Sequence, residues 1–204
     1  MLANFLKKTV MKTLVLFALS VVASAAMATG PVGPASAISI SGTSDQTTSI
    51  SGAIVINKAN GSDSQALQNV ASNAGNVTVS GYSKQSATIK NLAIVSNEAD
   101  KDSIAQQNLA SNVGKVTVSG RSVQDVTVQS AAVVANYSGK DTIAQQSLST
   151  NVGDVTIAGN SYQATSVGPL AAVLNSAYGH DAKAVQNISS NNSCSTFTCA
   201  NTYR

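Results

Sequence analysis

Two hydrophobic patterns alternate along the chain. The first is a period of two, as in Val77-Thr-Val-Ser80, Val116-Thr-Val-Ser119 and Val155-Thr-Ile-Ala158. Successive side chains on an extended strand point to opposite faces, so these segments predict half-buried strands. The second is a short apolar run ending in asparagine. It occurs as Ala53-Ile-Val-Ile-Asn57, Ala93-Ile-Val-Ser-Asn97, Ala132-Val-Val-Ala-Asn136 and Ala172-Val-Leu-Asn175. These read as buried strands that stop at a turn residue. A further segment, Ile104-Ala-Gln-Gln-Asn-Leu-Ala-Ser111, has residues that a helix would accept. Its β-flanks and its bracketing Asn and Ser favour a strand.

The patterns recur at a fixed spacing. Asn73-Ala-Gly-Asn-Val-Thr-Val-Ser-Gly-Tyr-Ser-Lys-Gln85 returns as the segments Asn112 to Gln124 and Asn151 to Gln163, with a partial copy at Ile38 to Gln46. Gly42, Gly81, Gly120 and Gly159 are 39 residues apart, as are Gln46, Gln85, Gln124 and Gln163. These glycines predict tight turns or bulges. A second glutamine column is Gln68, Gln107, Gln146 and Gln186, and an asparagine column is Asn73, Asn112 and Asn151. One acid per unit aligns as well: Asp63, Asp102, Asp141 and Asp181. The period drifts between 39 and 40, with the slack in the turns. A period of this size marks a solenoid or array. The expected fold is all-β: a β-solenoid, or stacked cross-β rungs, with three or four short strands per unit.

Stacking would set identical residues about 4.8 Å apart along the axis. Each side-chain amide could then donate to one neighbour in its column and accept from the other. A lone buried amide costs roughly 1–3 kcal/mol, so columns convert a liability into ladders. Four rungs would be only about 19 Å tall, with unpaired backbone at both ends. The sequence shows no capping helix. It starts on one half of the unit, Ile38 to Gly52, and ends on the other, Ala172 to Asn191. Ends of this kind are expected to drive linear polymerisation.

The domain organisation follows. Residues 1–28 read as a signal peptide. Lys7, Lys8 and Lys12 precede an apolar run from Leu14 to Ala23, and Ala26-Met27-Ala28 is a small-x-small cleavage site. Met11 would start a shorter version of the same signal. The apolar run is too short to span a membrane, which takes roughly 20 residues. Residues 29–37 form a linker, 38–192 the four repeats, and 193–204 a tail with Cys194 and Cys199.

Composition adjusts the picture in two ways. The precursor has a formal charge of +3, but three of its twelve basic residues lie in the signal. The remainder is balanced, so the charge gives no reason to expect nucleic acid or a membrane surface as partner. There is no Trp, and Phe197 is the single Phe after the signal. Ala, Val and Ile suit thin, flat β interiors rather than a bulky core.

Candidate chemistry is sparse. Export to an oxidising compartment favours a disulfide. If Ser195 to Thr198 were extended, Cys194 and Cys199 would be about 16 Å apart. So either the segment closes a small loop or the cysteines pair between chains. A zinc site needs more ligands than this region offers. His180 occupies a Tyr-Gly-His-Asp turn with no supporting triad motif. One aligned acid per unit is too few for calcium, and a turn or gatekeeper role fits these acids better. Tyr82, Tyr137, Tyr162 and Tyr178 are out of phase with one another. No metal, cofactor or enzymatic activity is expected.

The signal peptide, the Gln/Asn-rich repeats and the C-terminal cysteine pair together resemble the subunits of bacterial functional amyloids. The Fap fibril family is the nearer resemblance and curli the more distant. The repeats carry an Ala…Asp-Ser element at Ala99 to Ser103, and more loosely at Ala59 to Ser64. It is followed by Ser-Asn-x-Gly-x-Val-x-Val at Ser72 to Val79 and Ser111 to Val118. Fap subunits have a Cys-x-x-Cys, whereas four residues separate Cys194 from Cys199 here, and the long linkers of the main Fap subunit are absent. The resemblance implies an extracellular fibre in biofilm or adhesion. The expected partner is the chain itself, with a nucleator or a secretion pore. The rival expectation is a monomeric β-solenoid adhesin or ligand-binding module. Single Thr residues in Val-Thr-Val give less support to an ice-binding face than Thr-x-Thr rows would.

Overall fold

The computed structural model describes residues 37–192, all in strands, corners and bends, with no helix among them. The signal segment, Cys194 and Cys199 lie outside the described residues. The first coil comprises β1 (Ala37–Ile40), β2 (Thr43–Ser51), β3 (Ile54–Gly61), β4 (Gln65–Val70) and β5 (Asn73–Ala74). The second comprises β6 (Asn76–Val79), β7 (Tyr82–Lys90), β8 (Ile94–Lys101), β9 (Ile104–Leu109) and β10 (Asn112–Val113). The third comprises β11 (Val116–Val118), β12 (Arg121–Val128), β13 (Val133–Ser138), β14 (Ala144–Leu148) and β15 (Asn151–Val152). The fourth comprises β16 (Val155–Ile157), β17 (Asn160–Val167), β18 (Ala172–Ala177), β19 (Ala184–Ile188) and β20 (Asn191–Asn192).

Equivalent strands of successive coils pair in parallel and in register, giving five four-stranded sheets. Val77, Val116 and Val155 form one file, and Gln46, Gln85, Gln124 and Gln163 another. The fold is therefore a four-coil parallel β-solenoid. Each coil has five strands rather than three or four, because β5 and its equivalents are only two residues long. Ile104–Leu109 is a strand. The segments Ile38 to Gly52 and Ala172 to Asn191 belong to the first and last coils. Each of those coils holds all five strands, so complete coils, not half-units, form the ends.

The interior alternates apolar and amide zones. Ile50, Ile89, Val95, Leu109, Val128 and Leu148 belong to the largest apolar cluster. Ile40, Val77, Val79, Val116 and Val118 form a second cluster under the first sheet. Burying one such valine stabilises the fold by about 1.5–3 kcal/mol. In this second cluster burial falls off at the ends: Val77 and Val116 are buried, whereas Ile38 in the first coil and Val155 in the last are half-buried.

The corner between the fourth and fifth sheets is left-handed in every coil. Ala71, Ala110, Ser149 and Ser189 have φ of 49°, 47°, 51° and 47°. None is a glycine, so each is held by its neighbours against an unfavourable conformation. The N–H of Ala110 donates to the Val70 carbonyl of the coil before at 2.8 Å, and Ser149 N–H to that of Leu109 at 3.0 Å.

Candidate functional site

The distinctive chemistry of the chain lies in its buried amides. Asn57, Asn97, Asn136 and Asn175 share a register in the third sheet. Each Nδ2 donates to the Oδ1 of the next coil, at 2.8, 2.9 and 2.9 Å in turn. The two hydrogens of each nitrogen are shared with main-chain carbonyls of the fourth sheet, which lie within reach: Ala66 and Gln106 for Asn97, Ala105 and Gln145 for Asn136. This ladder thus ties two sheets together along the whole stack. In the sequence these asparagines look like turn residues ending a run. They sit instead in mid-strand and face inward, because the strands continue past them to Gly61, Lys101, Ser138 and Ala177.

Opposite this file stands the ladder of Gln68, Gln107, Gln146 and Gln186. Gln107 Nε2 donates to Gln68 Oε1 at 2.6 Å, Gln146 to Gln107 at 2.7 Å, and Gln186 to Gln146 at 2.6 Å. Its donors point toward the first coil, whereas those of the Asn57 file point toward the last.

A third ladder runs through the fifth sheet. Asn73 Nδ2 donates to Asn112, Asn112 to Asn151 and Asn151 to Asn191, at 2.9, 2.9 and 3.0 Å. Asn191, 40 residues after Asn151, is the fourth member, absent from the column of three read from the sequence.

The column of Gln46, Gln85, Gln124 and Gln163 does not form a ladder of its own, contrary to the expectation from its spacing. Each Nε2 donates across the interior to the asparagine of its own coil: Gln46 to Asn73, Gln85 to Asn112, Gln124 to Asn151 and Gln163 to Asn191, at 2.6–2.9 Å. Three of these glutamines also donate to a serine two residues earlier, Ser83, Ser122 and Ser161. An amide nitrogen has two hydrogens. In Gln85, Gln124 and Gln163 both are used within the coil, and none remains for the glutamine of the neighbouring coil. Gln85 and Gln124 accordingly keep a buried Oε1 with no hydrogen-bond partner.

The glycine column lies at the corner between the first and second sheets. Its φ angles are outside the left-handed region; what demands glycine is space. A methyl on Gly81 would overlap the carbonyl oxygen of Gly42, one on Gly120 that of Gly81, and one on Gly159 that of Gly120. Those same oxygens accept Tyr82, Arg121 and Asn160 N–H at 2.8, 2.8 and 2.9 Å, which brings the coils this close. Gly42 has nothing within 4 Å of such a methyl, because no coil precedes it among the described residues.

The remaining candidates stay apart. Asp63, Asp102, Asp141 and Asp181 are exposed in the corner before the fourth sheet, and His180 is exposed in the same corner of the last coil. Among the described residues no three His, Cys, Asp or Glu side chains cluster as a metal site would require. No helix among them is long and apolar enough to cross a membrane. Tyr82 lies beneath the Arg121 guanidinium, 5.6 Å from ring centre to Cζ, while Tyr162 and Tyr178 are exposed. Glu98 is held below the ordinary carboxylate value of 4.5, first by the hydrogen bond from Ser96 and then by Lys58, whose Nζ is 3.1 Å away.

The chain matches no protein-family model, no curated protein and no solved structure. The fold and its amide files are therefore the basis for a functional reading.

Proposed function

We propose that this chain is a secreted structural subunit that assembles with copies of itself into extracellular amyloid-like fibres, serving a biofilm matrix or surface adhesion. The observation that carries this reading is the incomplete burial of the last coil. The inner coils bury their inward side chains fully, as at Gln107, Gln146, Asn97 and Asn136. The last coil leaves Gln186 exposed and Asn175 half-exposed. Natural solenoids that work as monomers cover such ends with capping segments, since an open sheet edge templates further strands. No such cap is present among the described residues.

On this reading the chain has no catalytic role and needs no cofactor. Its partner is another copy, with a nucleator or secretion pore acting before or during assembly. The purified chain without its signal, concentrated in neutral buffer, should form pelletable fibres visible by electron microscopy. A stable monomer at high concentration would overturn the proposal.

One observation favours a monomeric binding module instead. Ser49, Thr88, Thr127 and Ser166 align on the second sheet, on the face opposite Gln85 and its column. Such a file of hydroxyls is a regular surface that a ligand could match. Saturable binding by a chain that stays monomeric would support this second reading.

A further inference from the structure

The first and last coils resemble each other at positions where both differ from the coils between them. Thr48 and Thr165 share an inward file whose inner members are Ala87 and Val126. Leu67 and Val185 share a file whose inner members are Gln106 and Gln145. Val70 and Ile188 are aligned with Leu109 and Leu148. Ile56 and Leu174 are aligned with Ser96 and Ala135. Within one chain the first and last coils are separated by two others, about 14 Å apart at the ordinary strand spacing, so the likeness serves no contact there. It also runs against solubility. In two of these files the end coils carry the apolar residue and the inner coils the smaller or polar one: Ile56 and Leu174, 57% and 43% exposed, against Ser96 and Ala135, and Leu67 and Val185 against Gln106 and Gln145.

We infer that the fourth coil of one copy is built to receive the first coil of the next, head to tail and in the register of the coil–coil contacts inside the chain. This rests on the self-assembly reading and specifies its junction. Thr48 would then lie on Thr165, Leu67 on Val185, Val70 on Ile188 and Ile56 on Leu174. The polar groups agree. Ser190 Oγ has no hydrogen-bond partner among the described residues. It would accept from the Ser72 N–H of the incoming copy, just as Ser111 N–H donates to Ser72 Oγ and Thr150 N–H to Ser111 Oγ inside the chain, at 3.1 and 3.2 Å.

Ladder polarity permits only this orientation. The last coil offers Asn175 Nδ2 and Asn191 Nδ2 to the acceptors Asn57 Oδ1 and Asn73 Oδ1 of the incoming first coil. In return the incoming Gln68 Nε2 faces Gln186 Oε1. Two first coils facing each other would oppose acceptor to acceptor in the Asn57 file. Gly42 completes the junction, because the carbonyl of Gly159 in the preceding copy would occupy the space its missing methyl leaves open.

The test compares variants of the full chain without its signal. Gly42→Ala should melt like the wild-type monomer, since its methyl meets nothing in one chain. It should nonetheless fail to elongate alone, and it should cap wild-type fibres at one end. Two double variants test the register. Leu67→Lys with Val185→Glu sets opposite charges across the junction and should grow near the wild-type rate. Leu67→Lys with Val185→Lys sets like charges there and should grow at least about tenfold more slowly at low salt, because directly opposed like charges on adjacent strands repel. If Gly42→Ala and both double variants elongate like wild type, the head-to-tail register is wrong although assembly stands. If the wild-type chain never elongates, the self-assembly reading itself fails.

Discussion

Asn97 Nδ2 donates to Asn136 Oδ1 of the next coil at 2.9 Å, and the same nitrogen reaches the Ala66 and Gln106 carbonyls at 2.9 and 3.0 Å. One side chain thus joins two coils and two sheets in a fully buried place. Replacing Asn97 by Ala should lower monomer stability by about 3 kcal/mol, because buried carbonyls and the Asn57 amide lose partners together. Asn57→Ala, at the open end, should cost about 1 kcal/mol. Urea unfolding of the two variants checks the ratio, and equal losses would remove the ladder from the account of stability.

The two glutamine columns should respond differently to the same change. Gln107→Met breaks a ladder on both sides, at Gln68 and at Gln146, and should cost about 2–3 kcal/mol. Gln124→Met removes a donor to Asn151 and Ser122, which Asn112 also serves, and it removes an unpartnered oxygen. Its cost should stay within about 1 kcal/mol. Thermal melts of both variants decide whether the columns are distinct in energy as they are in geometry.

Gly120→Ala forces a methyl against the Gly81 carbonyl between two coils. Both coils are fixed by backbone hydrogen bonds on either side, so overpacking should destabilise by about 1–3 kcal/mol. Hydrogen exchange should show the loss in the second and third coils first. Unchanged protection there would mean the corner yields more easily than its bonding suggests.

Acid should weaken the fold through Glu98. Its folded pKa lies below 4.5. A depressed carboxylate pKa gives stability that is present above the unfolded value and is lost as pH falls through the folded value. The loss should therefore begin near pH 4.5 and continue below it. Glu98 and Lys58 are partly exposed, so solvent screening keeps the effect below about 1 kcal/mol. Glu98→Gln should flatten this acid limb and leave the neutral plateau nearly unchanged. A limb of equal slope in the variant would assign the acid loss to other groups.

Much of the stack can be read from the spacing alone. A parallel solenoid places residue and repeat in register, so a period of 39 residues becomes a column, as at Asn112 and Asn151. What a period lacks is phase. It does not say where a coil begins, which is why Ile38 to Gly52 looks like a half-unit although it opens a complete coil. Nor does it say which way an amide points. Asn97 and an exposed turn asparagine look alike in a sequence, and only the continuation of β8 to Lys101 separates them. The Gln85 column is in step with itself but bonds sideways, because the narrow interior brings Asn112 within 2.9 Å. The left-handed corner at Ala71 and its equivalents carries no glycine, so local propensity gave no signal there.

The central claim is that folded coils stack end to end without rearranging. Mass per unit length of the fibres, measured by scanning transmission electron microscopy, tests it most directly. Four coils at the parallel-strand spacing predict one chain for every 19 Å or so of fibre. One chain for every 4.8 Å or so would mean that each copy opens into a single layer, and would contradict the account.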